Sequence, residues 1–356
     1  MRHFSNENEK LYYKKPIEIN KYTDKEILAN SLGANLYMNG LTDVFTKITN
    51  GSLKNVGSIS ICFEDATKES ELLKSEENIQ NALEKLIVYT ENKEIEIPLI
   101  FIRVRNERQF INFTERLNEK TIKLITGFTL PKFDTTNAEA YLNILDNLNK
   151  RFDEKTYAMP ILESSSIIFK ETRREELLNL KFILGKYSDL ILNIRVGGTD
   201  FSSQFGIRRS VTSNIYNIGV VSECLIDIIN MFGRKEEQYV ISAPVWEYFS
   251  KDINSKEIQG LLNEIELDKE NGFFGKTVVH PEQVKYVNGN CAITFEEYID
   301  AKNIIESSED GGVFKGYNDN KMNEVLPHLS WARKKVIRAE AFGVLNKGIN
   351  NEELYK

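Results

Sequence analysis

The sequence predicts an α/β fold: a TIM-type (β/α)8 barrel with a C-terminal helical appendage. Three observations predict it. Eight short apolar runs follow one another between Asn35 and Val279, and amphipathic stretches separate most of them. Runs such as Ser58–Phe63 and Leu190–Ile194 are apolar almost throughout, the pattern of parallel strands buried on both faces. Charged residues or a histidine stand at or just past the ends of most runs, and in a parallel barrel those ends share one rim.

The elements follow in order. Residues 1 to about 24 form an extended lead-in, and a short helix begins near Asp24. The predicted strands are Asn35–Met38, Ser58–Phe63, Pro98–Val104, Ile122–Thr126, Tyr157–Leu162, Leu190–Ile194, Tyr239–Ser242 and Lys276–Val279. Helical spacing marks Asn78–Thr90, Glu107–Leu117, Ala138–Leu148, Arg174–Leu184 and Ser213–Phe232. Strand and helix in alternation imply parallel pairing with right-handed crossovers. An open doubly wound sheet would need a glycine-rich turn after the first strand. Asn39-Gly40-Leu41 is not that turn. Residues 1–290 are therefore assigned to the barrel with its lead-in. Residues 291–356 are assigned to a helical extension, Phe295–Glu306 and Leu329–Leu345, that caps the barrel or mediates oligomerisation. The intervening stretch, Ser307–Lys321, has the Gly, Asp and Asn of a mobile loop.

Composition narrows the class. Hydrophobic residues make up 41% of the chain and charged residues 28%, which fits a water-soluble globule. The formal net charge of -7 and the lack of a basic stripe argue against nucleic acid as a partner. No apolar run approaches a membrane span or a signal peptide. The three cysteines are widely spaced and match neither a disulfide framework nor a zinc site, so a reducing cytoplasm is the expected compartment.

Glu163 and Asp200 head the candidate residues. They end the fifth and sixth runs, about one strand–helix–strand unit apart. Two carboxylates on neighbouring strands raise each other's proton affinity unless a cation lies between them. A hard divalent ion such as Mg²⁺ satisfies both; helix capping and a turn are the plain alternative. Arg103 and Arg105, two apart, share one face of a strand, where a guanidinium grips a carboxylate or an enolate oxygen, or an internal acid. Glu64-Asp65 fits the orientation of Arg103 or the capping of a helix. Lys132 fits an acid substrate or plain surface, and Gly198 and Thr199 lead into Asp200. His280 fits acid–base work or a structural hydrogen bond. Trp246 fits a pocket wall or core packing, and Arg208-Arg209 an anionic substrate tail or a neighbouring subunit.

The runs ICFEDA (61–66), IRV with Arg103, LPK (130–132), PILES (160–164), GGTDF (197–201) and GFFGKTVVHPEQV (272–284) resemble the HpcH/HpaI aldolase and citrate lyase beta-subunit family, in its order. LNIRVGGTDFSSQFGIRR and MNEVLPHLSWARKKVIRAEAFGV resemble one branch of it, the TIM-barrel C–C bond lyases that accompany tellurite-resistance and stress gene clusters. The resemblance implies a Mg²⁺-dependent lyase. In it Glu163 and Asp200 match the metal carboxylates, Arg103 the residue holding an oxo-acid or enolate oxygen, and Glu64 and Asp65 the acids behind them. Arg105 departs from the Asn of citrate lyase relatives, and Asn39-Gly40 from their Pro-Gly. The implied reaction is a retro-aldol or retro-Claisen cleavage, or the reverse condensation, on a small oxo-acid or acyl substrate, and a homo-oligomer is expected. Acyl-thioester hydrolysis on the same site, or a non-catalytic metabolite-binding or scaffold subunit, are the alternatives.

Overall fold

The structure is a computed structural model that describes residues 1–356 apart from Arg2, Ser5, Glu94, Gln238 and Lys356. Its centre is one eight-stranded sheet of parallel strands in sequence order. The strands are β1 Ala34–Asn39, β2 Ser58–Cys62, β3 Leu99–Arg103, β4 Ile125–Leu130, β5 Tyr157–Leu162, β6 Ile194–Val196, β7 Ile241–Ser242 and β8 Lys276–Val278. β8 pairs with β1, and an Ala243–Lys276 bridge beside β7 closes the ring. The chain is thus a (β/α)8 barrel, as predicted.

Two strands are displaced from their predicted positions. Ile122–Leu124 is a 3-10 turn, and β4 runs instead from Ile125 through Gly127 to Leu130. Gly127 masks the strand in the sequence, yet the strand needs it. A Cβ there would lie 2.2 Å from the Tyr157 carbonyl oxygen. In the sixth run Ile191 makes an isolated bridge, and the ladder of β6 begins only at the run's last residue, Ile194.

Strand residues alternate between two environments. Ile59, Ile61, Ile100, Ile102, Leu162, Ile194 and Val196 belong to the main core with the surrounding helices. That core receives Ile79, Leu83 and Leu86 of helix Leu72–Asn92, one face of a 3.6-residue repeat. The opposite set points into the barrel. At its floor Leu99, Phe101, Tyr157 and Met159 pack with Ile19, Leu28 and Leu32. Level with them across the strands, Asn35, Ser58, Ser60 and Thr129 form a buried hydrogen-bonded chain.

Asp24 caps helix Lys25–Asn30 by accepting from the Glu26 and Ile27 amides. Helix Val325–Phe342 packs against this helix, and Arg338 Nε donates to Asn30 Oδ1 at 3.1 Å. Helix Lys25–Asn30 precedes β1, so the C-terminal helix lies at the floor, opposite the strand ends that carry the charged residues. A cavity of about 800 Å³ lies there, between the floor and helix Val325–Phe342, and none of the predicted site residues lines it. The polar stretch predicted as a loop contributes to a hairpin, Val313–Lys315 with Met322–Glu324. Tyr12–Lys14 pairs with Val344–Leu345, tying the lead-in to the C-terminal segment. No helix among the described residues is long and apolar enough to cross a membrane.

Candidate active site

The carboxyl ends of β2, β3, β4, β5 and β6 bring six charged residues together. Arg103, the last residue of β3, is the hub. Its Nη2 lies 2.5 Å from Glu64 Oε2, 3.1 Å from Asp65 Oδ2 and 3.3 Å from Glu163 Oε1. Lys132, two residues past β4, pairs through its ammonium with Glu64 and, at 3.5 Å, with Asp65. The Lys132 amide donates to Glu163 Oε1 at 2.9 Å. That geometry puts Lys132 at φ +48°, a conformation uncommon outside glycine and typical of functional turns.

Glu163 and Asp200 meet. They share a hydrogen bond; the Asp200 charge raises the proton affinity of Glu163, whereas the hydrogen bond from Glu163 lowers that of Asp200. Gly197 makes the approach possible: a Cβ there would fall 2.3 Å from Glu163 Oε2. Gly198 is buried against Pro244, and Thr199 is exposed beside Asp200 at the start of the short helix Gly198–Ser203.

The charges are out of balance. Four carboxylates face two cations. Burial, with Asp200 adding to it and Arg103 opposing, pushes the Glu163 carboxyl up to about 8. Burial, then Asp65, raises Asp200 as well. Glu64 is raised by burial, whereas Asp65 is held low against burial by its bond to Glu64 and the nearby Arg103. Burial works against the Arg103 charge, yet Glu163 and its other anionic neighbours hold the guanidinium above its ordinary range. Two acids that cannot both ionise comfortably fit a divalent cation. Among the described residues no group of three or more His, Cys, Asp or Glu is arranged to hold a metal. A two-carboxylate site leaves most positions to water and substrate, the habit of Mg²⁺ rather than Zn²⁺.

Other predicted residues are elsewhere. β3 ends at Arg103, so Arg105 does not continue its face. Arg105 turns outward to the Phe63 and Thr67 carbonyls and to Glu69. Trp246 is 1% exposed, donates to the Glu257 carbonyl and lies under Arg209, a core position away from the mouth. His280 stacks on Phe249 at 4.1 Å and accepts from the Glu282 amide as a helix cap. Arg209 is buried in ion pairs with Glu247 and Glu264. Cys62 is buried, and burial pushes its thiol up, away from a nucleophile's range.

Sequence reasoning missed Tyr37 and Arg195. The Tyr37 ring stands 5.8 Å from both the Arg103 and the Arg195 guanidinium. The signal for Arg195 was parity: Ile194 and Val196 face the helices, so the arginine between them faces inward.

The family model of C–C bond lyases of the TIM-barrel fold matches residues 26–344. The chain belongs to this family. This lyase has no match among curated proteins. Its fold is similar to that of a citrate lyase from Burkholderia xenovorans (TM-score 0.67, 13% identity, 91% of this chain and 96% of that one). It is also similar to the protein CitE from Mycobacterium tuberculosis in complex with magnesium, acetoacetate and coenzyme A (TM-score 0.57, 14% identity, 87% and 99%). A third similar structure is the malate synthase of Haloferax volcanii in a magnesium and glyoxylate complex (TM-score 0.55, 13% identity, 85% and 88%).

Proposed function

We propose that this lyase breaks or makes a carbon–carbon bond beside the carbonyl of a small oxo or hydroxy acid, with Mg²⁺ held by Glu163 and Asp200. One observation carries the reading: a hydrogen-bonded acid pair, buried Glu163 and half-buried Asp200, with Glu163 at about 8, on a rim whose carboxylates outnumber its cations by two. The magnesium complexes of the CitE and malate synthase structures support it by likeness of fold. When bound, the ion supplies Lewis acidity toward a carbonyl oxygen.

The protein's own groups do the rest. Glu64, Asp65 and Glu163 lock Arg103 through Nη2, so its orientation is set before substrate arrives. Its Nε has no partner among the described residues and is a donor free for an oxygen that gains charge. Lys132, half-exposed at the rim, takes the substrate carboxylate. In cleavage the hydroxyl loses its proton, the carbon–carbon bond breaks, and its electron pair becomes an enolate. We assign that proton to the Glu64–Asp65 pair, one carboxyl raised and the other lowered.

The test is product trapping with Mg²⁺ and a panel of 2-oxo acids, 3-hydroxy acids and acyl thioesters. Cleavage to an oxo acid or aldehyde plus a second fragment is expected, and chelation should abolish it. Release of two acids without carbon–carbon cleavage, or turnover indifferent to chelator, overturns the proposal.

A further inference from the structure

Arg195 is 1% exposed, and no carboxylate pairs with it among the described residues. β6 aligns it with Ile161, two residues before Glu163, so it springs from the interior layer just below the acid pair. From there its side chain crosses the barrel. Nη2 donates to Thr277 Oγ1 on β8 at 2.5 Å, and the guanidinium lies 5.8 Å from the Tyr37 ring on β1. Nε and Nη1 have no acceptor. Arg103 approaches the same ring, and its Nε is also without one.

Away from this site the fold satisfies its buried arginines. Arg173 donates to Asp227 and to the Ile167 and Ile168 carbonyls, and Arg209 to Glu247, Glu264 and the Val245 carbonyl. A buried guanidinium without a counter-charge is costly and is rarely left so unless something binds there. Burial disfavours the Arg195 charge, Tyr37 partly offsets that, and the nearby Arg103 adds to it. An anion brought between the two guanidiniums would relieve both.

We propose that Arg195 is an anion-binding residue of the reaction site, receiving a negatively charged group at the substrate end that points down the barrel axis. The enzyme then selects acids with a second anionic group beyond the oxo-acid end held at the rim. Nε and Nη1 are shielded from water, so entry of that group displaces the half-buried Tyr37 ring. The inference rests on the oxo-acid reading of the rim.

The test compares 2-oxobutyrate with oxaloacetate, which share the oxo-acid end and differ in a far methyl against a far carboxylate. Binding is measured by calorimetry on the Mg²⁺-loaded protein. Wild type should prefer oxaloacetate by roughly tenfold or more. R195Q should bring the two within about twofold of each other by weakening oxaloacetate. R195M, uncharged and of similar length, replaces R195Q if that variant does not fold. Equal affinities in wild type, or a preference that survives in the folded variant, overturn the role of Arg195 and leave the rim reading intact. Wild type that binds neither acid overturns the rim reading and this inference with it.

Discussion

Lys276 on β8 is 1% exposed, and two carboxylates reach its ammonium, Glu264 at 2.9 Å and Asp268 at 2.7 Å. Glu264 also pairs with Arg209 and accepts from the Ile215 amide, and Asp268 accepts from Tyr216. Here two buried cations meet two buried carboxylates, and hydrogen bonds take up the remaining lone pairs. Glu163, also buried, stands in a cluster with the opposite character. Its neighbours Glu64, Asp65 and Asp200 share only Arg103 and Lys132, and its carboxyl sits at about 8 where the fully enclosed Asp268 sits at about 6. The same barrel wall thus holds one set of charges that is complete and one that is not. An incomplete set in a fold able to complete one elsewhere marks where a ligand is expected.

The sharpest way to break this contrast is to damage the complete cluster. Glu264→Ala leaves Arg209 and Lys276 short of counter-charge and should cost about 3–5 kcal/mol in urea denaturation. Mg²⁺ affinity of the folded protein should stay as it was; if it falls as well, the two clusters are not independent. Next in size, Glu163→Gln and Asp200→Asn should each lower Mg²⁺ affinity by about 100-fold or more by calorimetry, with little loss of stability. Unaltered affinity in both variants would falsify the metal assignment.

The pH dependence should come next. Glu163 is raised above its ordinary range, so below about 8 the empty site holds a proton that the ion must displace. Mg²⁺ affinity should climb by up to about tenfold per pH unit toward 8 and then level off. Calorimetry in two buffers of different ionisation enthalpy should show about one proton released per ion below that point. The sign for folding is the reverse. A raised carboxyl favours the empty fold while protonated, so its contribution to stability is lost as pH rises from the ordinary carboxylate range through about 8.

Gly197→Ala refines the picture further. The new methyl would press on Glu163 and should weaken Mg²⁺ binding by roughly tenfold, measured by the same titration. The smallest effect belongs to His280→Ala. Loss of its cap should cost about 1 kcal/mol of stability and leave Mg²⁺ affinity within about twofold. A large drop in affinity would return His280 to the chemistry.

The barrel was legible in the sequence because parallel strands buried on both faces leave nearly unbroken apolar runs, as in β2 and β5. Legibility failed where a run and a ladder are not the same stretch. Ile122–Leu124 is apolar but turns, and Gly127 is structural but silent. The rim acids could be placed because each lies within four residues of a strand end. Arg105 was misplaced because parity holds only while the strand lasts, and β3 stops two residues earlier. Arg195 and Tyr37 were overlooked for the opposite reason: they lie within strands, where a polar or aromatic residue reads as an interruption rather than as lining. Trp246 shows that a position after a strand end is not sufficient, since its chain segment folds back under helix Lys256–Glu270.

The ring closes between the first and last strands of the sequence, and beside a β7 only two residues long. Closure therefore joins parts of the chain that are far apart in synthesis, the slowest kind of contact to form. Until β8 has emerged from the ribosome, the nascent sheet carries two bare edges, at β1 and at β7, each able to recruit a strand from another molecule. Shortening the chain ahead of Lys276 would leave an adhesive open sheet in place of a smaller enzyme.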